Sequence, residues 1–234
     1  MKEVRKIEKS RIKAKFEVLN KADDVTEVYL YGDIVSDDYW YGADEDVVTS
    51  KRVRDTLKEI STSRIDLHIN SNGGDVFESI AIHNILKQHE ATIHVYVDAI
   101  AASGMSVIAM AADKVFMYSN SMMMIHNAWT MAWGNASELR KVADDLEKIN
   151  SAVSESYKSK FVGTGEELKA LLDEESFLTA EECLALGFCD EIVNEPQETK
   201  PKAKESILNK YRKDTGDDES SFFMPQNILS KFKK

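Results

Sequence analysis

A strand that runs straight into a glycine pair and out again as a helix most limits how this chain can fold. Ile65, Leu67 and Ile69 alternate with other residues, which marks 64–70 as a strand. Asn70-Ser71-Asn72-Gly73-Gly74-Asp75 follows at once. Two glycines open backbone angles closed to other residues, and Asp75 can cap a helix. Phe77, Ile80, Ile85 and Leu86 anchor that helix over 76–89, and 92–97 is the next strand. Strand, helix, strand at this spacing requires a crossover connection and predicts an α/β fold.

The pattern extends in both directions. Residues 14–20 and 25–35 read as strands around an Ala22-Asp23-Asp24 turn. Val47, Val53, Leu57 and Ile60 recur at helical spacing. The small, apolar run 103–112 reads as a buried helix, and 114–118 and 122–126 as short strands. Asn135-Ala136-Ser137-Glu138 is a capping box. It opens a long helix to about Phe161, with Leu139, Val142, Leu146, Ile149, Val153, Tyr157 and Phe161 in one apolar stripe. Thr164 with Glu167, and Thr179 with Glu182, open two shorter helices; Gly187 suits the end of the second. A final strand occupies 189–193. The chain divides into an N-terminal segment 1–24, one domain over 25–195, and a polar tail 196–234 with an apolar end.

The totals exclude several classes. With 234 residues, 43% apolar and 30% charged, the chain is long enough for a proper core. A formal charge of -11 opposes a nucleic-acid partner. The run 99–112 is too short and too broken by serines to span a bilayer. The charged N-terminus lacks the apolar core of a secretory signal, so a cytoplasmic protein without a membrane partner is expected. Cys183 and Cys189 lie far from any metal-ligand cluster, and no Gly-x-x-x-x-Gly-Lys-Ser/Thr loop is present; neither a metal nor another cofactor is expected.

Chemistry concentrates at two places. Ala101-Ala102-Ser103-Gly104-Met105 sets one serine among residues with almost no side chain, open to a carbonyl group. Met124-Ile125-His126-Asn127 ends an apolar run on an imidazole. A serine hydroxyl needs such a base within hydrogen-bond reach to become a nucleophile. The amides of Gly104, at a helix start, and Gly74 could receive an oxyanion. From these residues alone, Ser103 is equally a small packing residue and His126 a core histidine. Met122-Met123-Met124 with Trp129 and Trp133 reads equally as a substrate or subunit surface and as ordinary packing.

Four motifs in order resemble the Clp protease proteolytic subunit family (ClpP). They are Asn70-Ser71-Asn72-Gly73-Gly74, Ala101-Ala102-Ser103-Gly104-Met105, Met124-Ile125-His126-Asn127 and Phe177-Leu178-Thr179-Ala180-Glu181-Glu182-Cys183-Leu184-Ala185-Leu186-Gly187. The resemblance implies a ClpP/crotonase-like spiral of stacked ββα units with a long handle helix. It implies a serine peptidase, with Ser103 as nucleophile, His126 as base, and Gly74 and Gly104 as oxyanion amides. The third member falls on Glu175, where the family has aspartate; Asp173 and Glu174 are nearby substitutes. Asn72 replaces the family's proline, and Ser103-Gly104-Met105 its Ser-Met-Gly order. With Gly-Gly-Asp-Val-Phe and the C-terminal tail, these departures resemble phage and prophage head maturation proteases, which act on capsid or scaffold proteins. The implied partners are peptide or protein substrates, further copies of the chain in heptameric rings, and a separate ATPase unfoldase in a degradative enzyme. The rivals are a crotonase-type acyl-CoA enzyme and a non-catalytic capsid-assembly scaffold.

Overall fold

The computed structural model describes residues 12, 15–21, 24–36 and 47–193. The predicted tail 196–234, residues 37–46 and the first eleven residues lie outside the described residues. Among the described residues, β1 (Lys15–Lys21) pairs antiparallel with β2 (Val25–Tyr31). Parallel pairing then continues through β3 (Arg64–Ser71), β4 (Thr92–Ala102), β5 (Lys114–Tyr118) and β8 (Glu191–Val193). The helical crossovers that parallel pairing demands are α1 (Ser50–Leu57), α2 (Val76–Lys87) and α3 (Gly104–Ala109).

The length of β4 organises the molecule. Its first half, His94 to Val97, pairs with β5; its last residues, Ile100 to Ala102, pair with β6 (Met122–Ile125). One strand thus serves two neighbours in succession. Antiparallel to β6 lies β7 (Ser176–Thr179), a four-residue strand with alternating burial that is too short to declare itself by periodicity. α4 (Ala136–Lys158), α5 (Gly165–Asp173) and α6 (Ala180–Leu186) complete the fold, each opened by a capping box in which side chain and backbone exchange hydrogen bonds.

The core lies where the helices cover the sheet. Leu30, Ile65, Ile69, Val95, Val97, Met105 and Ile108 are fully buried there. Each such aliphatic side chain contributes roughly 1.5–3 kcal/mol through removal from water. Ile65, Leu67 and Ile69 of β3 and Ile93, Val95 and Val97 of β4 face this layer at every second position, which is why the alternation was visible before folding.

Four boundaries differ from the periodic reading. β2 stops at Tyr31 because Gly32 takes φ +102 and turns the chain; Ile34 then makes isolated bridges to Val48 and Gly74. Val47 and Val48 are therefore buried outside α1, whose cap is Thr49. β4 runs on to Ala102, five residues past the predicted end. α4 closes at Lys158, and only Val153 and Tyr157 of its stripe are fully buried; Leu139 is exposed and Val142, Leu146 and Ile149 half-buried. No described helix is long and apolar enough to cross a membrane.

Candidate active site

Strand register brings three distant residues together. Ala102 is paired with Met124, and the Ser103 N–H donates to the Met124 carbonyl at 2.8 Å. Ser103 and His126 are the first residues past the ends of the two neighbouring strands β4 and β6. Their side chains meet, with Ser103 Oγ 2.7 Å from His126 Nε2. On the other edge of β6, Ile125 is paired with Ser176. One step further in that antiparallel register sets His126 opposite Glu175. Glu175 Oε1 lies 3.7 Å from His126 Nδ1. A Ser103 hydroxyl donating to Nε2 leaves the ring proton on Nδ1, facing this carboxylate.

The three groups differ in setting. The His126 side chain is 11% exposed and Glu175 64%, so the carboxylate works from the solvent edge and its pull on the ring is screened. Asp173 is occupied elsewhere: it accepts from Asn127 Nδ2 at 2.8 Å and pairs with Lys169 at 2.7 Å. Glu174 is the C-cap of α5. Of the three acids singled out in the sequence, Glu175 is the one the fold turns to the imidazole.

Ser103 sits at φ +53, ψ -125, between the end of β4 and the start of α3. That conformation costs a non-glycine residue of order 1–3 kcal/mol. It is held by the strand on one side and the helix on the other. Gly104 is the first residue of α3, so its N–H has no partner within the helix. Gly74 approaches from the other side: a Cβ built on Gly104 would lie 3.6 Å from the Gly74 nitrogen. In the Ile34 bridge, Ile34 donates to Gly73 and Asp75 donates to Ile34, which leaves the Gly74 N–H outside that pairing.

Both glycines of the turn are sterically required. A Cβ on Gly73 would sit 2.6 Å from the Ala102 oxygen, and one on Gly74 1.9 Å from the Ile34 oxygen. Ser71, which the sequence did not single out, fixes the turn. Its buried hydroxyl donates to Gly32 O at 2.5 Å and accepts from Gly73 N–H at 2.9 Å.

Ser103, His126, Gly73, Gly74 and Gly104 line a cleft of about 470 Å³ that also includes Asp33, Val76, Val107, Trp129, Val153 and Tyr157. Trp129 and Trp133 are exposed, whereas Met123 and Met124 are buried and Met122 is half-buried; the methionine run is core. Burial pushes the Cys183 thiol up and Cys189 to about 12, so neither supplies a thiolate near neutral pH. No described group of His, Cys, Asp and Glu could hold a metal ion.

An α/β layer with a hydroxyl, an imidazole and paired glycine amides around one cleft has the makings of a peptidase, and sequence comparison gives that class. A statistical model of the Clp protease family matches residues 49–196. The chain belongs to the Clp protease family. It is similar to the ATP-dependent Clp protease proteolytic subunit of Deinococcus radiodurans, 27% identical over 138 residues, 58% of this chain and 68% of that relative.

Proposed function

We propose that this peptidase is a serine endopeptidase working through an acyl-enzyme on Ser103. The observation that carries this reading is the 2.7 Å contact between Ser103 Oγ and His126 Nε2. Ser103 Oγ attacks a peptide carbonyl while its proton passes to Nε2. The carbonyl oxygen becomes an oxyanion held by the Gly74 and Gly104 amides; one such donor is worth ~3 kcal/mol in the barrier. His126 then gives its proton to the leaving amine as the C–N bond breaks. Water, deprotonated by His126, releases the acyl group and restores the serine. Glu175 steadies the ring tautomer and the imidazolium.

Treatment with a fluorophosphonate, followed by mass spectrometry, tests the assignment. Label on Ser103, lost in His126→Ala, supports it. Absence of label, or label elsewhere, rejects it and favours a scaffold or an acyl-CoA enzyme.

The substrate we infer is a phage capsid or scaffold protein, cleaved in the host cytoplasm or inside the prohead. The support is Asn72, the Ser103-Gly104-Met105 order and the Gly-Gly-Asp-Val-Phe segment. Portal and capsid genes beside the coding sequence would support it. The name of the Deinococcus relative favours the second reading, a degradative subunit fed by a separate ATPase unfoldase. In either case the chain assembles with copies of itself, in heptameric rings by resemblance. The half-exposed apolar stripe at the start of α4 is the surface available for this.

A further inference from the structure

The buried hydroxyls of Ser106 and Tyr157 form a chain that ends on the peptide group carrying the Gly104 N–H. Ser106 Oγ donates to the Ser103 carbonyl at 2.5 Å and lies 2.7 Å from Tyr157 Oη. A serine hydroxyl has one proton. With that proton committed to the carbonyl, Tyr157 must be the donor to Ser106. The order is therefore Tyr157 O–H to Ser106 O–H to the Ser103 carbonyl. That carbonyl and the Gly104 N–H are two ends of one peptide unit.

Both residues are buried, Ser106 at 0% and Tyr157 at 1% exposure. Burial raises the Tyr157 pKa, which keeps the phenol protonated and donating at every working pH. The Ser103 carbonyl already accepts the Ser106 N–H at 3.0 Å and the Val107 N–H at 3.4 Å. The helix needs those backbone bonds. The Ser106 hydroxyl adds a further donor to that carbonyl beyond those the helix requires.

We infer that Ser106 and Tyr157 are positioning residues that polarise the Ser103–Gly104 peptide and so strengthen the Gly104 amide as an oxyanion donor. Withdrawing electron density at a carbonyl makes the N–H of the same unit more acidic, and hydrogen bonds in series strengthen one another. The gain appears only when negative charge develops opposite that N–H, so it lowers the barrier without tightening ground-state binding. The same chain holds the strained Ser103 backbone from below. α4 thereby reaches the catalytic centre through its innermost residue, Tyr157, which also lines the cleft.

This inference rests on the roles proposed for Ser103 and Gly104. Its test is the rate of phosphonylation of Ser103 by a fluorophosphonate, resolved into the saturating rate and the half-saturating concentration. The Oγ–P bond forms, fluoride leaves, the proton goes to His126, and the phosphoryl oxygen takes the oxyanion position. Ser106→Ala is expected to slow the saturating rate about tenfold, less than the ~10²-fold cost of losing an oxyanion donor itself. Tyr157→Phe, which keeps the ring against Phe188, is expected to slow it about threefold. Neither should change the half-saturating concentration. In the Ser106→Ala background Tyr157→Phe should add nothing, because its path to the carbonyl is already cut.

Circular dichroism and thermal melting confirm that the variants are folded; if Ser106→Ala does not fold, Ser106→Cys, a weaker donor of similar size, takes its place. Unchanged rates, an effect on the half-saturating concentration alone, or additive losses in the double variant overturn the inference. Failure of the wild-type protein to label at Ser103 is a different result: it removes the underlying serine-peptidase reading.

Discussion

Asn127 and Glu175 hang from the same main-chain oxygen. Each donates its backbone N–H to the Leu172 carbonyl, both at 3.3 Å. One neighbours the imidazole and the other presents the carboxylate to it. The last turn of α5 thus sets the spacing between His126 and Glu175. The Asn127 side chain adds a second tie through Asp173 at 2.8 Å.

From this spacing, Glu175→Gln should lower kcat by ~10²-fold, well short of the ~10⁴-fold that a fully buried triad carboxylate commands. The carboxylate is solvated and 3.7 Å from the ring, so less of its charge is felt. Asn127→Ala should reduce kcat severalfold by loosening the same geometry. Steady-state cleavage of an unfolded protein checks both, and an inactive Glu175→Gln would show a far tighter coupling than 3.7 Å allows.

Ser103→Gly should abolish peptidase activity and raise stability. Glycine carries no Cβ and takes φ +53, ψ -125 without the ~1–3 kcal/mol strain that serine stores there. Chemical denaturation is the measurement. An equal or lower midpoint would mean that the strain relieved at Ser103 is smaller than the combined cost of the lost hydrogen bond to His126 and of glycine's freedom in the unfolded chain.

Gly74→Ala should be inactive and destabilised. Its Cβ would sit 1.9 Å from the Ile34 oxygen, so the bridge between Ile34 and the turn must open and the amide must move. Activity and melting temperature should fall together. A folded, active alanine variant would remove Gly74 from the site.

Stability should fall on acidification through His83. Its Nδ1 lies 2.9 Å from the Val107 carbonyl and therefore carries the ring proton, and burial lowers its pKa. Below the unfolded imidazole value of ~6.5 the denatured chain binds a proton that the native one resists, so stability is lost as pH drops toward the lowered folded value. His83→Gln, which can still donate to Val107, should flatten this slope between pH 6.5 and 5 in denaturation curves.

On the proposed assembly through α4, Leu146→Glu should yield a smaller species while leaving the protomer folded. Leu146 lies in the half-buried stretch of α4, ahead of the buried Val153 and Tyr157. Analytical ultracentrifugation reads the outcome. An unchanged sedimentation coefficient would clear this surface of an assembly role.

Local order was legible in the chain because it is written locally. Alternation in 64–70, the Asp75 cap, the three capping boxes and the glycine stop at Gly187 all depend on neighbours within a few residues. The motifs around Ser103 and His126 were also visible, since small residues and a terminal imidazole stand out from an apolar background. What the sequence determined by itself was therefore the α/β alternation and the chemical types available to a site. The pairings and distances that bring them together exist only in the folded chain. The handover of β4 from β5 to β6, the four-residue β7 and the 3.7 Å approach of Glu175 to His126 all rest on strand register between segments tens of residues apart. The Ser106–Tyr157 chain spans 51 residues in the same way. Periodicity reports which face of an element is buried, not which partner it is buried against, and only the folded ladder supplies that partner.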